Sequence, residues 1–347
     1  MRSDYLLATL LLSACAGEGT APDGVEFAKG KPAPAPPPIA TILVFGGVGT
    51  TAESINDARQ IAGTRTTGGG SQAFVWQNGT FTDLVPLAGA AGSSASEISA
   101  SGVVAGTSGG HAVRWVPSGS GYGPPEALSV PGGPPAQATA ISNAGVIGGI
   151  SRQLVSQNPD VFATRAFLWN DGAATSAQTA GWVEGVNDAG TLIGVDGLTG
   201  WVRPAGGPTV ALASLGGASS DPVDINMNGV IVGVSAPSQP ANSQRATLWT
   251  NLTPSDLGTL GGTSSAAIAL NDLDPVQVVG RASTGARRNG ERAFIWTAAG
   301  GMRDLGYPSG ATFAWARDIN NNGWIVGWMT TSTGDRAVLW KLTGSTP

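Results

Sequence analysis

The chain has 347 residues, 41% of them hydrophobic and 12% charged, enough apolar material for one large domain or two ordinary ones. Its 53 Gly and 23 Pro lie far above average usage, yet apolar β-formers recur between them, a pattern of many short strands and turns rather than of disorder. Three Lys and fifteen Arg at a net charge of −5 exclude the dense positive face that phosphate-driven binding needs, so no nucleic-acid partner is expected.

Residues 1–14 read as a signal peptide. An apolar run from Tyr5 to Leu12, too short to span a bilayer as a helix, leads into Leu12-Ser13-Ala14-Cys15 and the single Cys of the chain. This ending resembles the lipobox of bacterial lipoproteins, which implies that Cys15 is lipidated and becomes the new N-terminus. A free thiol is the alternative. The resemblance implies a membrane partner through several acyl chains, and at about 0.8 kcal/mol per buried CH₂ two or more chains make release negligible. Ala16 after the Cys resembles lipoproteins sent to an outer membrane. Residues 15–40 lack periodicity and contain Lys31-Pro32-Ala33-Pro34-Ala35-Pro36-Pro37-Pro38, a polyproline-type tether.

Next comes Thr41-Ile-Leu-Val-Phe-Gly-Gly-Val-Gly-Thr-Thr-Ala52, an apolar β-forming run followed by a match to the G-x-G-x-x-A template of a dinucleotide-binding turn. The match does not survive its context. Phe45-Gly46-Gly47 lies nine residues before Asn56, as Leu215-Gly216-Gly217 does before Asn226 and Leu260-Gly261-Gly262 before Asn271. Paired glycines are therefore a repeat position, and no helix can begin at Thr50 before the Ile55-Asn56 strand arrives.

Residues 41–347 carry seven copies of a unit built from "Ile-Asn-x-x-Gly-x-Ile-Val-Gly", "Ala-Phe-x-Trp" and "Asp-Leu-Gly-x-Leu-Gly-Gly". The first block recurs at Ile55, Ile98, Ile141, Val186, Ile225, Leu270 and Ile319, the second at Trp76, Trp115, Trp169, Trp201, Trp249, Trp296 and Trp340. The average step of about 44 residues is that of a propeller blade. In unit five, four strand signals are predicted: Asp221 to Asn226, Val230 to Ser235, Arg245 to Thr250, and the segment around Asp256-Leu257-Gly258. The expected fold is all-β, a seven-bladed β-propeller of four-stranded repeats. The last unit stops after its third strand and the first has one strand too many, so Thr41 to Phe45 is expected to complete the last blade beside Ala337 to Leu342. The seven repeating Trp are structural, each hiding about 150–250 Å² between blades.

Strand three opens with Gln72-Ala73-Phe74, His111-Ala112-Val113, Arg165-Ala166-Phe167, Arg245-Ala246-Thr247, Arg292-Ala293-Phe294 and Arg336-Ala337-Val338. With Asp256-Leu257-Gly258-Thr259-Leu260-Gly261-Gly262, these trios resemble the HAF family of extracellular repeats, named for His-Ala-Phe. The resemblance covers residues 41 to 342, although only one trio begins with His and unit four has Thr199-Gly200-Trp201. It implies a secreted or surface location and no particular activity.

Catalytic chemistry finds little support. His111 is the only His and stands where other units place Arg or Gln, which points to a strand-edge role and leaves no base for a Ser-His-Asp site. Asp83, Glu126, Asp256 and Asp304 recur near strand four and read as blade-stabilising partners of Arg245, Arg292 and Arg336. Glu97, Glu184 and Asp224 on strand one carry no feature that marks them. No metal or cofactor is expected, because Asn320-Asn321-Asn322-Gly323 and Asn271-Asp272-Leu273-Asp274 lack the alternating carboxylates and terminal Glu of a calcium loop. Trp182 and Trp315 each stand four residues before the strand-one aliphatic residue, near the central channel if strand one is innermost, and are the candidate ligand-binding residues. Packing between blades is the alternative for both, and Trp324 and Trp328 read as core. The expectation is a monomeric, lipid-anchored binding or scaffolding module for an unknown protein or glycan, with a propeller hydrolase or lyase acting on polysaccharide as the alternative.

Overall fold

A computed structural model describes residues 40–157, 161–240, 243–285 and 290–343; Cys15, the signal peptide and all of the tether but Ala40 lie outside them. The described chain forms seven sheets of four antiparallel strands, a seven-bladed β-propeller, together with a two-stranded hairpin, Pro117–Ser118 with Gly121–Tyr122, inserted in the second blade.

Blade 5 shows why the repeat folds this way. Its strands are Gly216–Ile225, Ile231–Pro237, Arg245–Thr250 and Thr253–Asp256. Between the first two, the Asn226 side-chain oxygen accepts from the Asn228 and Val230 N–H groups at 3.0 Å each, while Gly229 takes φ 75°. An Asn that can close the turn on its own side chain, three residues before a glycine, makes a tight inner turn. The glycine ending "Ile-Val-Gly" serves close packing instead: a Cβ on Gly149 would run into the Gln137 carbonyl and the Phe167 ring.

Several boundaries differ from expectation. The first strand begins at Gly216 rather than Asp221 and the second at Ile231 rather than Val230. Strand four is Thr253–Asp256, so Asp256-Leu257-Gly258 ends the strand instead of forming it. The Asp256 carboxylate accepts the Gly258 N–H at 2.8 Å and Gly258 sits at φ 85°, and Asp304 and Gly306 repeat the arrangement. The side-chain acceptor turns the backbone away from the ladder, which the apolar Leu between them conceals in sequence.

The ring closes as the unequal strand counts require. Ala40–Phe45 lies antiparallel to Gly334–Leu342, with Ala40 opposite Leu342 and Phe45 opposite Ala337, so blade 7 takes its fourth strand from the start of the domain. Gly46 then turns the chain at φ 73° into Thr50–Ile55, the first strand of blade 1, and the dinucleotide-like stretch is this connection.

The core lies between blades. Phe45, Val326 and Leu339 of blade 7 pack with Ala52, Ile55, Phe74 and Trp76 of blade 1 in one cluster. Trp115, Trp169, Trp249 and Trp340 are fully buried. The indole N–H groups of Trp115, Trp249 and Trp340 donate to Val85, Ala213 and Gly306 carbonyls, on the connections that enter each blade, at 2.8–3.0 Å. Trp296 is partly buried and packs against the cluster shared by blades 5 and 6. Near strand four, Arg245 faces Asp256 at 4.0 Å and Arg292 faces Asp304 at 3.7 Å as expected. Asp83 is held by Arg65 of strand two and Glu126 by Arg114 of strand three, while Arg336 enters no ion pair among the described residues.

Candidate functional site

The seven first strands line the axis, and each is interrupted just before its terminal aliphatic residue. The ladder shifts register at Ala52/Ser54, Ala95/Glu97, Ala138/Ala140, Val183/Gly185, Pro222/Asp224, Ala267/Ala269 and Ala316/Asp318. A bulge of this kind leaves one residue unpaired and re-aims its side chain. The unpaired residues are Glu53, Ser96, Thr139, Glu184, Val223, Ile268 and Arg317, and the paired residues just after four of them, Ser54, Glu97, Asp224 and Asp318, line the cavities on both sides of the constriction.

The constriction is a hydrogen-bonded belt. Each of these side chains accepts the N–H of the aliphatic residue in the next blade: Ser54 from Ile98 at 3.3 Å, Glu97 from Ile141 at 2.7 Å, Asp224 from Leu270 at 3.0 Å and Asp318 from Ile55 at 2.7 Å. Ala140, Gly185 and Ala269 have no side-chain acceptor to hand on. In the blades that follow the last two, Asp224 and Asp318 use their second oxygen for their own Ile225 and Ile319 N–H groups, both at 2.7 Å. Nearer the turns a second ring forms, in which Asn320 donates to the Asn56 carbonyl, Asn56 to Ser99, Asn187 to Asn226 and Asn226 to Asn271, at 2.9–3.2 Å.

On the turn side of the belt is a cavity of about 120 Å³ edged by Asp57, Asn143, Asp188, Asp272 and Asn321. On the other side is a wider vestibule of about 320 Å³, whose wall is the residue two before the aliphatic position in every blade: Glu53, Ser96, Thr139, Glu184, Val223, Ile268 and Arg317. Arg317 pairs with Glu53 at 3.1 Å. Glu184 makes no hydrogen bond or ion pair among the described residues.

Burial raises the carboxyl groups here. Glu97 is pushed well above the usual range by burial, then by the charges of Asp224 and Asp318, against the Ile141 hydrogen bond. Asp224 is raised to about 7 by burial and next by Asp318. Asp318 is raised by burial, opposed by its bonds from Ile55 and Ser54. Glu184 is raised to about 7 by burial and by Asp221, with Arg317 opposing, and Asp221 is itself raised by burial. Among the described residues no group of three or more His, Cys, Asp or Glu is arranged to hold a metal ion. The belt oxygens are directed at backbone N–H groups instead.

Trp182 and Trp315 both lie on innermost strands, two residues beyond the vestibule wall, and they differ. Trp182 is 49% exposed, two residues from Glu184 on the same strand. Trp315 packs on Trp328 with ring centroids 5.2 Å apart and carries the Arg281 guanidinium at 4.5 Å, so it belongs to inter-blade packing. Neither borders the cavity itself. Trp324, read as core, is only partly buried. His111 opens the third strand of blade 2, away from the channel. The carboxylates that do face the axis were passed over in sequence because each occupies its strand-one position in only one or two blades. The signal that marks them is a carboxylate directly before the Ile-Asn block, where a bulge aims it inward.

No family model matches this chain and no curated protein matches it. Solved structures do. A virginiamycin B lyase from Staphylococcus aureus superposes with a TM-score of 0.54 at 12% identity, covering 87% of this chain and 99% of the lyase. An acylaminoacyl peptidase from Pyrococcus horikoshii gives a TM-score of 0.54 at 9% identity over 85% of this chain, which spans about half (51%) of that enzyme. At such identities the likeness is one of fold: this chain is a β-propeller similar to propellers of differing chemistry.

Proposed function

We propose that the protein is a binding module, displayed monomerically at the cell envelope through a lipid on Cys15, and that its ligand enters the wide vestibule. The observation that carries this reading is Glu184, an unpartnered carboxyl group in the wall of a cavity of about 320 Å³. An acceptor in a cavity wall that no protein group occupies is free to bond a ligand. Arg317, whose Nε pairs with Glu53, keeps its terminal N–H groups for a ligand, and the Thr139 and Ser96 hydroxyls, which donate to the Val183 and Ala138 carbonyls, can still accept. Trp182, farther along the Glu184 strand, offers an exposed aromatic face. Hydroxyl-rich ligands match this set, because a sugar presents polar edges to carboxylate and guanidinium groups and an apolar face to an indole. A glycan array probed with the full chain tests it. Binding to a defined set of glycans, lost in Glu184→Gln and weakened in Trp182→Ala, supports the vestibule site; a profile identical in wild type and both variants overturns it. Incorporation of labelled palmitate tests the anchor, which fails if Cys15→Ser labels as strongly as wild type.

One observation favours a second reading, a hydrolase or lyase acting on polysaccharide. Glu184 is raised to about 7 by burial and by the charge of Asp221, and a carboxyl group near neutrality in a cavity wall suits general acid–base work on a glycosidic bond. Release of new chain ends from a bound polysaccharide, abolished in Glu184→Gln while binding persists, would select this reading over the binding module.

A further inference from the structure

The closing seam holds a second cavity, of about 290 Å³, between blades 7 and 1. Trp76, Ile55, Ile61 and Leu339 belong to the apolar cluster beneath it, and Thr41, Ile42 and Leu43 of the closing strand form one wall, with Leu43 49% exposed. Trp324 forms the other wall, and two cations stand over its ring: the Arg59 guanidinium at 5.5 Å and the Lys341 ammonium at 5.1 Å. Neither cation enters an ion pair among the described residues, in a chain whose net charge is −5.

Arg59 is also out of place in the repeat. It is the fourth residue of the turn that begins at Asn56, and the same position in other blades is Gly102, Gly145, Gly190, Gly229 and Gly323, with φ from 72° to 83°. Arg59 occupies that left-handed conformation at φ 59°. A side chain there costs on the order of 1 kcal/mol that glycine does not. Blade 1 alone places a long cation at this strained position, and the guanidinium it carries is on the rim of the seam cavity.

We propose that the seam cavity is a binding site for a small amphiphilic anion, an aromatic or aliphatic carboxylate whose apolar body lies on Trp76, Ile61 and Leu339 while its charge sits between Arg59 and Lys341. The apolar floor selects a hydrocarbon body, and two unpaired cations over one indole select the sign of the head group. This site is separate from the channel and stands whether or not the vestibule binds a ligand.

The test uses three probes of one shape on the full chain: 1-naphthoate, neutral 1-naphthalenemethanol and cationic 1-naphthylmethylammonium, followed by quenching of tryptophan fluorescence. The anion is expected to bind at least tenfold more tightly than either relative, with an affinity that falls as salt is raised. Arg59→Gly is expected to lower naphthoate affinity about tenfold while leaving the melting temperature unchanged or raising it, since it restores the residue that the turn prefers. Lys341→Met should weaken the anion and not the alcohol. Leu43→Glu, which places a negative charge on the wall, should abolish anion binding. Absence of naphthoate binding, equal affinity for all three probes, or unchanged affinity in Arg59→Gly with its fold intact overturns the proposal.

Discussion

Glu97 and Glu184 sit on innermost strands two blades apart, and burial raises both above the ordinary carboxyl range, but their surroundings put them to different uses. Glu97 follows a bulge, reaches into the belt and holds the Ile141 N–H at 2.7 Å. Glu184 is the unpaired residue of the bulge in its own strand, faces the wider vestibule and holds nothing. The contrast teaches that a perturbed carboxyl group is not by itself a functional one. What separates a structural carboxylate from a candidate ligand contact is whether its oxygens are already occupied. Trp249 and Trp182 repeat the lesson in apolar form, the first fully buried with its N–H bonded to Ala213, the second half exposed.

The comparison can be broken by experiment. The largest effect is expected at Trp249→Ala, where a fully buried indole leaves a cavity between blades at a cost of about 3–5 kcal/mol, visible as a large fall in melting temperature. Asp318→Ala comes next, about 2–4 kcal/mol, because the Ile55 and Ile319 N–H groups and the Ser54 hydroxyl lose their acceptor. A chemical-denaturation midpoint that does not move would mean that the belt is not a structural device.

The pH dependence follows from the direction of the shifts. Acids whose folded pKa lies above the unfolded value bind protons more readily in the fold, so stability is greatest below the unfolded carboxyl range and falls as pH rises toward about 7. The melting temperature should therefore be higher at pH 5 than at pH 8. Glu97→Gln should flatten that slope while its amide oxygen still accepts from Ile141. An equally steep slope in the variant would relocate the titration elsewhere. Smallest of all, Trp182→Ala should change stability by no more than about 0.5 kcal/mol, and Glu184→Ala should not lower it, since neither side chain holds the fold and burial disfavours the charged Glu184. A large loss in either would remove the distinction between belt and vestibule.

Much of the fold could be read from the chain. Seven Trp at blade spacing, Asn-x-x-Gly turns and the surplus strand at Thr41 to Phe45 each report a local or periodic rule, and periodic rules survive without coordinates. The closing partner was legible for the same reason: a ring of four-stranded sheets cannot leave Gly334–Leu342 without a partner. Strand four was misplaced because Asp256-Leu257-Gly258 repeats more loudly than Thr253–Asp256, although the former is the exit turn. The site was hardly legible. Trp182 and Trp315 hold equivalent positions in sequence, but only the Arg281 and Trp328 side chains, brought from a neighbouring blade and a neighbouring strand, decide that Trp315 is packed and Trp182 is free.

By itself, the sequence determined the repeat, the number of blades and the partners that close the ring, since these depend on spacing and on backbone groups that must be paired. Only the tertiary structure decided which carboxylates meet at the axis and which cations gather at the seam. Those encounters join residues from different blades, many tens or hundreds of positions apart, and the bulges and turns that aim the side chains have no fixed spelling in the chain. Glu97 and Asp318 influence each other because seven copies of one sheet were bent into a circle, and the same closure sets Arg59 and Lys341 over one indole.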